Sequence, residues 1–439
     1  MIRPDDRNAA SMWDLMETLF PIHRALCGPG FLESLHVLQK WLPLEIAEFP
    51  TGSKAFDWVI PPEFIVHEAY VEGPDGQRYL DFRQCSYHVW NYSQPFDGEM
   101  DREELLQHIT TLPALPDAIP LRVTYYRPKW GLCASEAQVR ALPPGRYRVH
   151  INTEFRHGAL RIGEYYLPGE TDTEILITAY LCHPRGANDN LSGVVLGTEL
   201  FTLLAQLPQR RYSYRLALWP ETIGAITYIA NYPERLSRLL GGYVLHCAGD
   251  PGPVHYKTSY HGTSLIDRAA IHALQHAGNP HHILPYMHHS IGPDACQFNA
   301  IGLRLPFGTF MRTPPGDFPA YHSSADDLSL VRPEALLDTL QRCWDTLMTL
   351  ERAVIYQGHF TVDPFLTGHG IYPYAHGAGE GKLGNDIATA YYHLMGGIDG
   401  QTDLLAIAER AALPIAVFDH AVQDFLRVGL MHPHPPAGA

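Results

Sequence analysis

The chain has 439 residues, of which 46% are hydrophobic and 18% charged, and a net charge of -15. This length suggests two or three domains, and the acidity argues against nucleic-acid binding, which needs a basic face to displace counterions, and against anionic membrane surfaces. No run reaches the roughly 20 apolar residues that span a bilayer, no signal peptide is visible, and seven scattered cysteines without a CxxC pair fit a reducing cytosol, so a cytoplasmic location is expected.

From Met12 to Leu42 the pattern is helical. Trp13, Leu15, Met16, Leu19 and Phe20 recur at helical spacing, and Leu32, Leu35, Leu38 and Leu42 continue it after the break at Gly28-Pro29-Gly30. Residues 1–55 are read as the N-terminal part of the main domain. Residues 56–147 are aromatic and proline-rich, with short strand-like pieces at Trp58–Ile60, Ile65–Val71 and Leu121–Tyr126. The Gly73-Pro74-Asp75-Gly76 turn joins two strands, so a small β-rich insertion is expected.

Residues 148–357 alternate strand and helix. Strand-like runs are Arg148–Thr153, Glu174–Tyr180, Tyr214–Trp219 and Gly242–His246. Helical runs are Gly193–Leu207, Ile223–Tyr232, Leu265–His276 and Pro333–Ala353. The alternation implies an α/β fold with a mostly parallel, mixed sheet sandwiched by helices. The segment 370–435 reads as helices at Gly381–Met395, Leu404–Ala411 and Pro414–Gly429, the last two resembling a helix-turn-helix. Its acidity makes it a poor DNA reader. It fits a protein-contact or dimerisation module that would make a homo-oligomer, or a helical cap on the main domain.

Chemistry concentrates where these strands end. His183 and Asp189 lie in the polar loop Leu181–Gly193, between a buried strand and a helix, the place where open α/β sheets bind ligands. Glu221 follows the strand ending at Trp219, Asp250 follows the strand ending at His246, and His322 lies in the loop Phe318–Asp327. Imidazoles and carboxylates together can form the ligand set of a catalytic zinc. Each residue has a plainer reading: His183 as a loop residue, Asp189 as a helix cap, Glu221 as a carboxylate favoured by a helix dipole at roughly 0.3–1 kcal/mol. Four such loops on adjacent strand ends are hard to explain as surface decoration. Cys182 and Cys247 fit core packing. The adjacent pairs His281-His282 and His288-His289 point in different directions on regular structure and are not read as ligands.

The run Ala187-Asn188-Asp189-Asn190-Leu191-Ser192-Gly193 resembles the zinc-ligand loop of exopeptidases related to bacterial leucyl aminopeptidase and glutaminyl cyclase. The whole chain is more closely similar to bacterial aminopeptidase-like proteins of unknown function, which carry a small inserted domain and a C-terminal winged helix. Leu19-Phe20-Pro21-Ile22, Phe56-Asp57-Trp58, Gly163–Gly169, Cys182-His183-Pro184, Pro220–Gly224 and Tyr321-His322-Ser323-Ser324 carry that likeness.

The resemblance implies that His183, Asp189 and His322 are metal ligands and that Glu221 is the general base for metal-bound water. Asp250 sits where a further ligand carboxylate is expected, and Asp294 and Tyr321 are placed towards the substrate. Two departures stand out. Thr222 replaces a ligand Glu, and Arg185 stands where the wider family has an Asp. One zinc is therefore expected, with a second left open. The implied activity is hydrolysis of an amide next to a free amino group in a small peptide or amide. The alternatives are an amidase or deacylase acting on a small metabolite or amino sugar, and a non-catalytic, metal-stabilised scaffold for a protein partner.

Overall fold

A computed structural model describes residues 2–286, 293–371 and 381–434. His288, His289 and residues 372–380 and 435 of the C-terminal segment expected at 370–435 lie outside the described residues. The chain divides into two compact units: residues 1–261 with 282–341, and residues 262–281 with 342–439. No helix of the described residues is long and apolar enough to cross a membrane.

The first unit is built on an eight-stranded mixed sheet. Its strands are β1 (Glu45–Pro50), β2 (Ala159–Leu167), β3 (Glu174–Tyr180), β4 (Ser213–Trp219), β5 (Leu239–Leu245), β6 (Val254–Lys257), β7 (His281–Leu284) and β8 (Phe307–Met311). Their order is β1-β2-β4-β3-β5-β8-β6-β7. The neighbours β4, β3, β5 and β8 all run parallel, so their carboxyl ends share one edge. Every residue of β3 and β4 is buried, the signature of strands covered on both faces. Helix α1 (Asp6–Leu19) begins at an Asp5–Asn8 capping box and packs on α2 (Gly193–Ala205), which lies against β3, β4 and β5. The helices α3 (Ile223–Asn231) and α4 (Pro293–Phe298) pack against each other.

The insertion holds its own four-stranded sheet, and the strand Arg146–Arg156 belongs to it, paired with Glu63–Glu72 and Phe96–Asp101. The expected boundary at 147/148 is corrected accordingly. The reason is visible in the strand: Tyr147, Val149 and Ile151 alternate with exposed or half-buried residues and fill a separate apolar cluster, as in a sheet with one wet face. Leu121–Tyr126 forms no strand. Its Val123 makes an isolated bridge to Asn91, and Pro120 just before the run makes another to Ser323.

In the second unit the strand Ile355–Gly358 pairs antiparallel with Asp399–Asp403 and Met431–Pro433. Helices Leu265–Gln275, Gly381–Gly397 and Leu404–Ala411 accompany that sheet. The single helix expected over Pro414–Gly429 is instead a 3-10 turn, Ile415–Phe418, followed by an α-helix, Asp419–Arg427. Pro414 has ψ 133 and so stands before the helical backbone rather than in its first turn.

Candidate metal centre

The loop after β3 is sewn to the loop after β5 by its own side chains. Asn188 Oδ1 accepts the Gly249 N–H, and Asn188 Nδ2 donates to Asp250 Oδ2 at 3.1 Å. Asn190 Oδ1 accepts the Cys247 N–H, Asn190 Nδ2 donates to the Leu245 carbonyl, and Ser192 Oγ accepts the Ala248 N–H. Gly186 is required by contact: a Cβ there would lie 1.6 Å from the Asp189 carbonyl oxygen. The polar run around Asp189 is thus a structural splice whose one carboxylate is left facing inwards.

Asp189 is 1% exposed. Its Oδ1 accepts the Tyr180 hydroxyl, and its Oδ2 has no hydrogen-bond partner among the described residues. His322 Nε2 lies 3.2 Å and His183 Nε2 3.7 Å from Oδ2. Glu221 Oε2 is 3.9 Å from His183 Nε2. The structure therefore brings His183, Asp189, Glu221 and His322 together at the carboxyl edge of the sheet. Tyr321 stacks on the His322 ring, with centroids 3.9 Å apart.

Two expected residues take other places. Asp250 stands apart from the group. Its carboxylate accepts from Asn188 Nδ2, from the N–H groups of Gly252 and Thr313 and from the Thr313 hydroxyl, which makes it a loop anchor. Asp294 does not face a cleft. It is fully buried, taking the Trp219 indole N–H at 2.9 Å and the Thr222 N–H at 2.6 Å. It fixes the backbone beside Glu221. There Thr222 has φ 63 and ψ -67, and the Ile223 N–H closes a tight turn on the Glu221 carbonyl at 2.7 Å, a sparsely populated geometry that clusters at functional sites. The Arg185 guanidinium lies over the Phe20 ring.

Two residues enter that the sequence did not single out. His246 Nε2 is 3.6 Å from Asp189 Oδ1, and both its ring nitrogens are buried without a hydrogen-bond partner among the described residues. Its signal was position: it directly follows β5, as His183 and Glu221 follow β3 and β4 by a few residues. Asp326 accepts the N–H groups of Asn188 at 2.7 Å and Asp189 at 2.9 Å. It follows His322 by one turn of loop, so one segment supplies both a candidate ligand and its positioning group.

The electrostatics fit a cation. Burial opposes ionisation of Asp189, yet the imidazoles of His183, His246 and His322 hold its carboxyl well below the usual range. Burial pulls His183 down to about 4, keeping the ring neutral and able to ligate. Burial, with the carboxylates of Asp189 and Asp294 nearby, pushes Glu221 well above its ordinary value. A buried Asp189 Oδ2 without a hydrogen-bond donor among the described residues, facing the Nε2 atoms of His322 and His183, is what a divalent metal would satisfy. Among the described residues, three sets have ligand atoms lying close together: His183, Asp189 and His322; Cys182, His183 and Glu221; and Asp189, His246 and Cys247.

Residues 13–353 match the family described as a domain of unknown function, DUF4910. The chain is 33% identical over 431 residues to a Clostridium acetobutylicum protein provisionally named a polysaccharide biosynthesis protein with an aminopeptidase-like domain, and the match covers 98% of each. A crystal structure of a Clostridium acetobutylicum protein provisionally called a peptidase superposes with a TM-score of 0.90 at 33% identity, over 98% of this chain and 97% of that one. A zinc aminopeptidase from Bacillus subtilis superposes with a TM-score of 0.59 at 14% identity, over 80% of this chain and 96% of that one. This last likeness is one of fold.

Proposed function

The chain belongs to the DUF4910 family, and on that footing we propose that it is a zinc-dependent hydrolase that cleaves an amide bond next to a free amino group. The observation that carries this reading is the meeting of His183, His322 and Glu221 around the inward-facing carboxylate of Asp189. The aminopeptidase fold of a Bacillus subtilis zinc enzyme supports it.

His183, Asp189 and His322 would hold the metal, with His246 available on the other oxygen of Asp189. A bound zinc supplies Lewis acidity, acidifying water and polarising a carbonyl. Glu221 then acts as the general base, taking a proton from the attacking water and handing it to the departing amine. Asp294 holds the turn that aims Glu221, and Tyr321 holds the His322 ring. The Glu221→Gln protein should keep its zinc and lose hydrolysis of aminoacyl amides by at least about a hundredfold. Full activity in that variant would remove Glu221 as base.

A second reading, an amidase or deacylase acting on an amino sugar, draws on the polysaccharide-biosynthesis name of the 33% identical relative. Product mass spectra from acylated amino sugars and from aminoacyl amides separate the two. A zinc protein inert on both classes would instead favour the metal-stabilised scaffold, a reading to which Thr222 and Arg185 lend weight. Among the described residues of 355–433, three strands and three α-helices in the order strand, helix, strand, helix, helix, strand support a winged-helix reading of the second unit, with a protein rather than DNA as its partner. Seven free cysteines support a cytoplasmic location.

A further inference from the structure

Four exposed aromatic residues mark a path leading away from the metal centre, and the hydrolytic reading uses none of them. Strands Lys54–Ala55 and Trp58–Val59 pair as a hairpin with Phe56 and Asp57 at its tip. Phe56 has φ 55 and is 67% exposed. A bulky residue in the left-handed region is a genuine outlier, and displaying it to water adds nothing to the core. Strain and exposure at one residue point to a role outside folding. Beside the hairpin lies an open-sided cavity of about 300 Å³, whose lining includes Phe56, Asp57, Trp58, Ile226, Ile229 and Leu303. Ile226 and Ile229 sit on α3, the helix that follows Glu221.

A strap from the insertion ties this cavity to the metal centre. At one end the Leu121 N–H donates to the His322 carbonyl at 2.7 Å, and Ile119 exchanges hydrogen bonds with Ser324. At the other end the Tyr126 hydroxyl donates to the Val59 carbonyl at 2.7 Å. Tyr126, the second anchor, and Tyr125 beside it are both exposed. The rim of the metal centre, the strap and the hairpin therefore form one continuous surface.

We propose that this surface is a subsite for a pyranose ring carried by the amide substrate. The ring's C–H face would lie on Trp58 and Phe56, and its hydroxyls would reach the Asp57 carboxylate. An apolar side chain gains most where it leaves water on all sides. This cavity is open on one side, and a carboxylate stands among its aromatic faces. A pyranose matches that mixture, having one apolar face and a belt of hydroxyl donors. The proposal deepens the hydrolase reading, on which it depends for the word substrate but not for binding.

The test is calorimetric titration of the zinc-loaded Glu221→Gln protein with N,N′-diacetylchitobiose and, separately, with leucyl-phenylalaninamide. The disaccharide should bind in the millimolar range or tighter, and Trp58→Ala and Phe56→Ser should each weaken it at least tenfold, with zinc content and melting unchanged. Absence of saccharide binding at tens of millimolar overturns the proposal, as does binding indifferent to both substitutions. Selective loss of dipeptide binding on Trp58→Ala also overturns it, by making the cavity an apolar side-chain pocket. A dimer that dissociates on Phe56→Ser overturns it in favour of a contact between copies. Titration needs no turnover, so failure of the hydrolase reading would show in wild-type activity and zinc content while leaving this result intact.

Discussion

Nε2 of His322 lies 3.2 Å from Oδ2 of Asp189, an oxygen that no hydrogen-bond donor serves among the described residues. The two groups come from loops far apart in the chain, and Asp326 joins those loops by accepting the N–H groups of Asn188 and Asp189. Burial, with Asp189 nearby, pushes its carboxyl up to about 7, so Asp326 sits where its charge is costly and its geometry is needed.

Asp326→Asn should therefore weaken metal binding without unfolding the chain. The amide presents one donor where two acceptors are required. Loss of a group that orients a ligand typically costs about 10–100-fold in metal affinity, and chelator-competition titration against wild type measures it. Unchanged affinity would make Asp326 a loop brace alone.

His246 sets function against stability. Two buried ring nitrogens without partners carry a desolvation cost of about 1–3 kcal/mol. His246→Leu should raise the melting temperature of the metal-free protein and lower metal affinity. A destabilised metal-free variant with normal metal uptake would contradict a ligating role.

Thr222 is a β-branched residue at φ 63. Thr222→Gly should relieve roughly 1 kcal/mol of backbone strain, seen as a higher melting temperature. Glu221, the preceding residue, should then be less well aimed, with kcat falling more than KM rises.

The second unit contains a pH-sensitive packing element. His272 Nε2 accepts the Ile415 N–H at 3.0 Å and must be unprotonated to do so. Burial, with His276 and Arg268 nearby, lowers its pKa from 6.5 to about 4. The unfolded chain binds this proton below about 6.5 and the folded chain only near 4. The contribution is thus complete above pH 6.5 and is lost as pH falls towards 4, by no more than about 3 kcal/mol. Melting curves of wild type and His272→Gln should converge between pH 7.5 and pH 5; parallel curves would exclude His272.

The fold was legible where strands are buried on both faces. The apolar runs of β3 and β4 announce their own ends, so His183, Asp189 and Glu221 could be placed at the sheet edge from residue order. His322 was found through its polar loop. The run Arg148–Thr153 reads as a strand of the main domain because strand character alone does not name a partner, although the alternation of Tyr147, Val149 and Ile151 with polar residues separates the strand Arg146–Arg156 from β3. Asp250 reads as a ligand because it is a carboxylate in a loop beyond a strand end, whereas His246 directly follows an apolar run and reads as part of the strand. In the fold the Asp250 carboxylate is taken up by Asn188 and Thr313. Asp294 was placed near the cleft by its loop, but its partners Trp219 and Thr222 can be known only from packing.

Zinc quantitation by mass spectrometry on protein purified without chelator tests the central claim most directly. The account predicts stoichiometric zinc in the wild type and its loss in Asp189→Asn and in His183→Ala, both still folded. A wild-type protein that is folded and free of divalent metal, or variants that retain the metal in full, would contradict it.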